Sequence, residues 1–162
     1  MINEKELLQS IDTFLSENKD AILADLKTLI DQPSVRGEAA PGAPYGTDVN
    51  AALEKALAIA RRMGLETVNC EGHIGWADLP GKSKKQIATI AHLDVVPAGN
   101  GWASNPFEMV VKDGCVIGRG TLDDKGPAVL TLYIAKFFKE RGVQLPYTLR
   151  LLFGTDEETG ME

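Results

Sequence analysis

The sequence predicts an α/β domain, a mixed β-sheet flanked by helices. Two amphipathic helical segments open the chain, short apolar strand-like runs follow, and a third helical segment precedes a last apolar run. Alternation of this kind, in a chain long enough to bury a core, suggests a mixed sheet packed with helices.

Each element has its own signal. Residues 4–30 carry Leu7, Leu8, Ile11, Phe14, Leu15, Ile22, Leu26, Leu29 and Ile30 near a 3.6-residue period, with a break expected around Ser16-Glu17-Asn18. Pro33, Gly37, Pro41, Gly42, Pro44 and Gly46 punctuate a loop, after which Thr47-Asp48 can cap a helix over about 49–63 that Gly64 closes. Strand-like runs follow at 66–70, 73–79 and 86–92, with Pro80-Gly81 turning the chain between the last two. Residues 109–112 and 115–118 flank Asp113-Gly114, the signal of a hairpin with a type I′ turn. Helical spacing returns over 125–141 through Val129, Leu132, Tyr133, Ala135, Phe137 and Phe138, and stops at Gly142. Residues 147–153, with Leu149, Leu151, Leu152 and Phe153, read as a buried strand. There is no internal repeat and no low-complexity tract.

A formal net charge of −6 and a pI near 5.0 argue against non-specific binding to nucleic acid or to an anionic membrane. The opening MINEKELLQS is acidic where a secretory leader needs basic and then apolar residues, and no apolar run reaches roughly 18 residues, so a cytoplasmic location is expected. Cys70 and Cys115 lack metal-type or redox spacing and are expected to be buried free thiols.

Three clusters carry chemistry. In AHLDVVPAG (91–99), His92 and Asp94 leave the end of a strand two residues apart and so face one way. An imidazole nitrogen ligates zinc well, and a carboxylate on the other ring N–H fixes the tautomer. By itself His-x-Asp is a common accident, and a lone strand-end histidine is more often structural. In GRGTLDDKGP (118–127), Asp123 and Asp124 sit at a strand-to-helix corner, where a carboxylate can bridge two cations or merely cap the helix. In GTDEETG (154–160), Asp156, Glu157 and Glu158 follow a buried strand, where three adjacent carboxylates repel one another unless cations offset them; otherwise they form a solvated acidic loop. All three clusters fall near the carboxyl ends of strands, where α/β sites assemble. One histidine among several carboxylates suits a pair of divalent ions, zinc foremost.

The stretch 87–160 resembles the dinuclear zinc metallopeptidase family of dipeptidases, aminoacylases, carboxypeptidases and succinyl-diaminopimelate desuccinylase. HLDVVPAGNGW, NPF, GRGTLDDKGP and GTDEE carry the likeness, most closely to its broad-specificity bacterial dipeptidases, with 31 residues from His92 to Asp123 and 34 from there to Glu157. PSVRG and the first helices also fit, so the likeness covers nearly the whole chain. It implies that His92 ligates one zinc, that Asp123 bridges both and that Glu158 ligates the second. It also implies that Asp94 orients His92 and that Glu157 is the general base, while Asp124, Lys125, Gly126 and Pro127 serve geometry. Cobalt or manganese could use the same ligands.

In that family a further aspartate ligand, a distant histidine ligand and a separate lid domain lie beyond the double glutamate. The other histidine here, His73, precedes the first motif and reads as structural. Residues 1–162 are therefore expected to be the N-terminal part of a catalytic domain, with lid and C-terminal part absent. Such a chain should hydrolyse the amide bond of dipeptides weakly or not at all by itself, and should leave a sheet edge exposed. Hydrolysis of N-acylated amino acids, as by an aminoacylase or desuccinylase, is an alternative, and a non-catalytic binding module on the same scaffold is another. Substrate side-chain preference and oligomeric state are not encoded in these motifs.

Overall fold

The computed structural model describes residues 3–161. Met1, Ile2 and Glu162, which entered the reading of the two chain ends, lie outside them. In chain order the elements are α1 (Glu4–Ile30), α2 (Thr47–Arg62), β1 (Glu66–Cys70), β2 (Ile74–Leu79), β3 (Gln86–His92), β4 (Val110–Lys112), β5 (Cys115–Ile117), α3 (Lys125–Glu140) and β6 (Thr148–Gly154), then a 3-10 turn, Glu157–Thr159.

Helix α1 starts at Asn3, whose side chain accepts from the Glu6 N–H while the Glu6 carboxylate takes the Asn3 N–H, a capping box. It runs through without the break expected at 16–18. Asn18 donates from its side chain to Phe14 O and accepts from Lys136 Nζ, so this polar residue is satisfied on the helix and ties it to α3. Helix α2 begins behind Gly46, at φ 102°, with no side-chain cap from Thr47 or Asp48.

β1, β2, β6 and β3 form one sheet in that order, antiparallel except for the parallel pair β3 and β6. The mixed sheet expected from sequence is therefore present, and β4 and β5 form the separate hairpin. Gly75, Ala77 and Leu79 of β2 and Leu149, Leu151 and Phe153 of β6 are buried, and most of them share one hydrophobic cluster with Leu29, Ile30, Leu53, Leu57, Val129 and Leu132 from the helices. A Cβ on Gly75 would fall 2.6 Å from Leu53, so glycine lets α2 lie directly on β2. The alternate face is only half-buried: Arg150 pairs with Asp78 at 2.6 Å and lies over Trp76. The mixed sheet is thus flanked by helices, with its buried core on the face of Ala77, Leu149 and Leu151. β3 pairs only with β6 there, and Ile87 and Ile90 on it are exposed, as expected of an open edge.

Cys70 and Cys115 are free but exposed, not buried, because both sit on outward positions of strands open to solvent. No helix among the described residues is long and apolar enough to cross a membrane.

Candidate metal centre

Parallel pairing of β3 with β6 sets His92 opposite Gly154, so the chain leaves both strands at one place. From there β3 continues through Leu93 to Asp94, and β6 continues through Thr155 into the turn of Asp156, Glu157 and Glu158. The strand end is fixed from the loop after α1: Ser34 Oγ donates to Leu93 O at 2.6 Å, and the Val95 N–H donates to Ser34 O at 3.0 Å.

The corner before α3 supplies the third side. Gly120 takes φ +89°, its carbonyl accepts the Lys125 N–H, and Gly126 has no room for a Cβ, which would fall 2.1 Å from Thr121 O. The Lys125 side chain is fully buried, and its ammonium donates to Leu29 O at 2.9 Å and Gln32 O at 2.8 Å, satisfying carbonyls at the end of α1. Burial pushes that lysine down to about 7. Asp124 precedes the helix but makes no side-chain cap; its Oδ2 accepts the His92 N–H at 3.2 Å. Asp123, joined to it by a cis peptide bond, points outward with three quarters of its side chain exposed.

These elements converge on His92, which is buried. Its Nε2 lies 3.0 Å from Asp123 Oδ1 and 3.7 Å from Glu157 Oε2, and its Nδ1 is 3.0 Å from the Asp94 carbonyl oxygen. One ligand atom each from His92, Asp123 and Glu158 lies within 4.8 Å of the others. All five site residues expected from sequence therefore meet in one place. Asp94 meets the ring through two groups, with its backbone carbonyl closer to Nδ1 than its carboxylate. The carboxylate is also used elsewhere: its Oδ2 accepts the Glu158 N–H at 2.9 Å, while Oδ1 stands 3.4 Å from Nδ1 with no hydrogen bond among the described residues.

The electrostatics follow from this crowding. Burial pushes His92 down, but Asp94 and Asp123 outweigh it and raise the imidazole to about 9. Burial pushes Asp94 up, but His92 and the Glu158 N–H outweigh it and hold the carboxyl below the usual range. The place favours a positive charge, whether a proton or a metal cation carries it.

Of the three adjacent acids, Asp156 is turned away from this cluster. It is buried against Arg36, whose Nη1 lies 3.0 Å from Oδ1, and Arg36 lies over the Tyr45 ring. His73 accepts or donates at 3.0 Å with the Tyr45 hydroxyl, in keeping with a structural role. A groove of about 450 Å³ beside Asp94 and Glu158 is lined by Val35, Arg36, Val95, Val96 and Pro97, among others. Arg36 and Tyr45 were not singled out from sequence, and no spacing rule ties them to residues more than a hundred positions later.

Residues 88–162 match the model of Peptidase family M20/M25/M40. A protein named “Putative dipeptidase” from Staphylococcus aureus (strain USA300) is 40% identical over 147 residues, 90% of this chain and 31% of that protein. The chain thus spans about a third of the length of that curated relative. Human carnosine dipeptidase 1 is similar in structure with a TM-score of 0.81 at 22% identity, over 94% of this chain and 35% of that one. Dug1p of Saccharomyces cerevisiae, described as a di-peptidase, gives 0.78 at 24% identity, over 94% of this chain and 35% of that one. At such identities these two likenesses speak for the fold alone.

Proposed function

We propose, from the premise that this chain carries a peptidase M20 family domain segment, that it belongs to a metal-dependent dipeptidase and supplies one wall of its active site. In this reading His92, Asp123 and Glu158 would hold divalent cations, zinc foremost. The carrying observation is the convergence of those three side chains within 4.8 Å. The donor set fits: one imidazole nitrogen with carboxylate oxygens suits borderline-to-hard divalent ions, and the ring's other nitrogen is already engaged by Asp94.

Bound there, such cations supply Lewis acidity toward the scissile carbonyl and a water of lowered pKa. The chain's own residues do the rest. Asp94 keeps the imidazole turned so that Nε2 faces the cluster. Glu157, about half exposed and 3.7 Å from Nε2, takes the proton of the attacking water and returns it to the leaving amine. The substrate class is a dipeptide, by analogy with the named relatives. Because the relative is about three times as long as the matched stretch, we infer that further ligands and substrate contacts lie in the unmatched part, and that residues 1–162 alone turn over weakly or not at all.

The test is calorimetric titration of the chain with Zn²⁺ and Co²⁺, with bound metal counted by elemental analysis. His92→Ala and Glu158→Gln should each weaken binding by about tenfold or more with the circular dichroism unchanged. Glu157→Gln should keep the metal, and should remove whatever dipeptide hydrolysis the loaded wild-type chain shows. Wild-type affinity in both ligand variants would sink the reading.

A further inference from the structure

Asp156, Glu157 and Glu158 are consecutive acids, yet only the last two face the candidate metal centre. The turn that sorts them is held at two points. On one side the Asp94 carboxylate accepts the Glu158 N–H at 2.9 Å. On the other, Arg36 Nη1 lies 3.0 Å from Asp156 Oδ1 and 3.3 Å from Oδ2, and donates to Thr159 Oγ1 at 2.6 Å. The Thr159 hydroxyl in turn donates to Asp156 Oδ1, and the Met161 N–H donates to the Asp156 carbonyl at 2.8 Å. Arg36 is itself fixed. Ser34, two residues before it, is bonded to the β3 extension, the Gly37 N–H donates to Tyr45 O at 3.0 Å, and the guanidinium lies 5.3 Å from the Tyr45 ring centroid.

We infer that Arg36 is a positioning residue: by neutralising buried Asp156 it holds the turn so that Glu157 and Glu158 project together toward His92 and Asp123. The inference rests on the roles proposed above for those two glutamates. The physical reason is charge. Asp156 is only 4% exposed, and without Arg36 it would be a buried carboxylate next to two others, which the turn can relieve only by opening toward water. Opening breaks the Glu158 N–H bond to Asp94 and separates the two glutamates from the ring. Arg36 therefore acts on metal binding through Asp156 and Thr159, without touching the ion.

The prediction has a rescue built in. Arg36→Ala should speed amide hydrogen exchange at Glu158 by about tenfold or more in the metal-free chain, and should weaken Co²⁺ binding by about the same factor. Amides of β6 should keep wild-type protection, which separates this effect from loss of the fold. Asp156→Asn placed on top of Arg36→Ala removes the uncompensated charge and should restore most of both properties. Arg36→Lys, which keeps the charge but not the planar fork, should fall between. Unchanged exchange at Glu158 in Arg36→Ala overturns the proposal, as does a double variant no better than Arg36→Ala alone. A wild-type chain that takes up no Co²⁺ defeats the metal reading of the preceding subsection instead, and the exchange rates then still decide the role of Arg36.

Discussion

Two regions of this molecule place carboxylates beside a basic group, and they are completed in opposite ways. Between the helices, Asp25 is buried and accepts Arg62 Nη2 at 2.6 Å on each oxygen and the Tyr133 hydroxyl at 2.8 Å. Burial, reinforced by Asp25, pushes the Tyr133 hydroxyl well above its ordinary value, so it stays a donor. At the ends of β3 and β6, several carboxylates share one imidazole, Asp123 and Glu157 keep 75% and 47% of their side chains exposed, and Asp94 Oδ1 has no hydrogen bond among the described residues. The first region carries its own counter-charge and is finished by folding. The second collects more carboxylates than the one imidazole can balance, as the proposed cation site requires and a structural ion pair does not.

Breaking the first region should therefore cost stability and spare the second. Arg62→Ala leaves Asp25 buried with only a hydroxyl donor, a loss of about 2 kcal/mol, below the range for a fully buried pair because most of the Arg62 side chain is in solvent. Urea denaturation should show a lower midpoint at unchanged m, and Co²⁺ affinity of the folded chain should stay at wild type. A variant of wild-type stability that lost Co²⁺ binding would reverse the contrast.

Lys125→Met sharpens the contrast from inside the motif itself. This lysine lies two residues after Asp123, yet it is completed by Leu29 O and Gln32 O as fully as Asp25 is by its partners. Leaving Gln32 O without its donor, while Leu29 O keeps the Gln32 N–H, should cost about 1 kcal/mol by the same denaturation measurement, less than breaking the ion pair. A residue of the motif that behaved as part of the site would lower Co²⁺ affinity without moving the midpoint.

How much of this was legible in the sequence follows the range of each interaction. Apolar runs and turn residues are local, and they place β3, β6, α3 and the Asp113-Gly114 hairpin within a residue or so of where they lie. The candidate site residues could be brought together on paper because each lies at or just beside the end of a recognisable element, although the parallel pairing that sets His92 opposite Gly154 is long-range and leaves no local mark. What stayed hidden was how polar groups divide their partners. Asp124 looks like a cap, but His92 N–H claims its carboxylate; Asp94 shares its carboxylate between the Glu158 N–H and the His92 ring and adds its backbone carbonyl to the ring. Arg36 lies in the PSVRG stretch, but nothing local ties it to Asp156, 120 residues away.

Asp31 gives the smallest and most graded test, because it is completed by the chain yet shared with solvent. Its carboxylate pairs with Lys27 one turn back and accepts the Met109 N–H at 2.9 Å, tying the end of α1 to the entry of the hairpin. Burial pushes the carboxyl up, but the Lys27 ammonium and the Met109 N–H outweigh it and hold it below the model-peptide value of 3.8. A depressed carboxyl binds its proton more readily in the unfolded chain. Its contribution is therefore complete above that value and is lost as pH falls through the lower folded one. Asp31→Asn should be less stable than wild type at pH 6 by no more than about 1 kcal/mol, since both partners are partly exposed. The two urea midpoints should converge as the pH is lowered toward 2. A gap that kept its size down to that pH would mean that the charge on Asp31 contributes nothing to the tie between helix and hairpin.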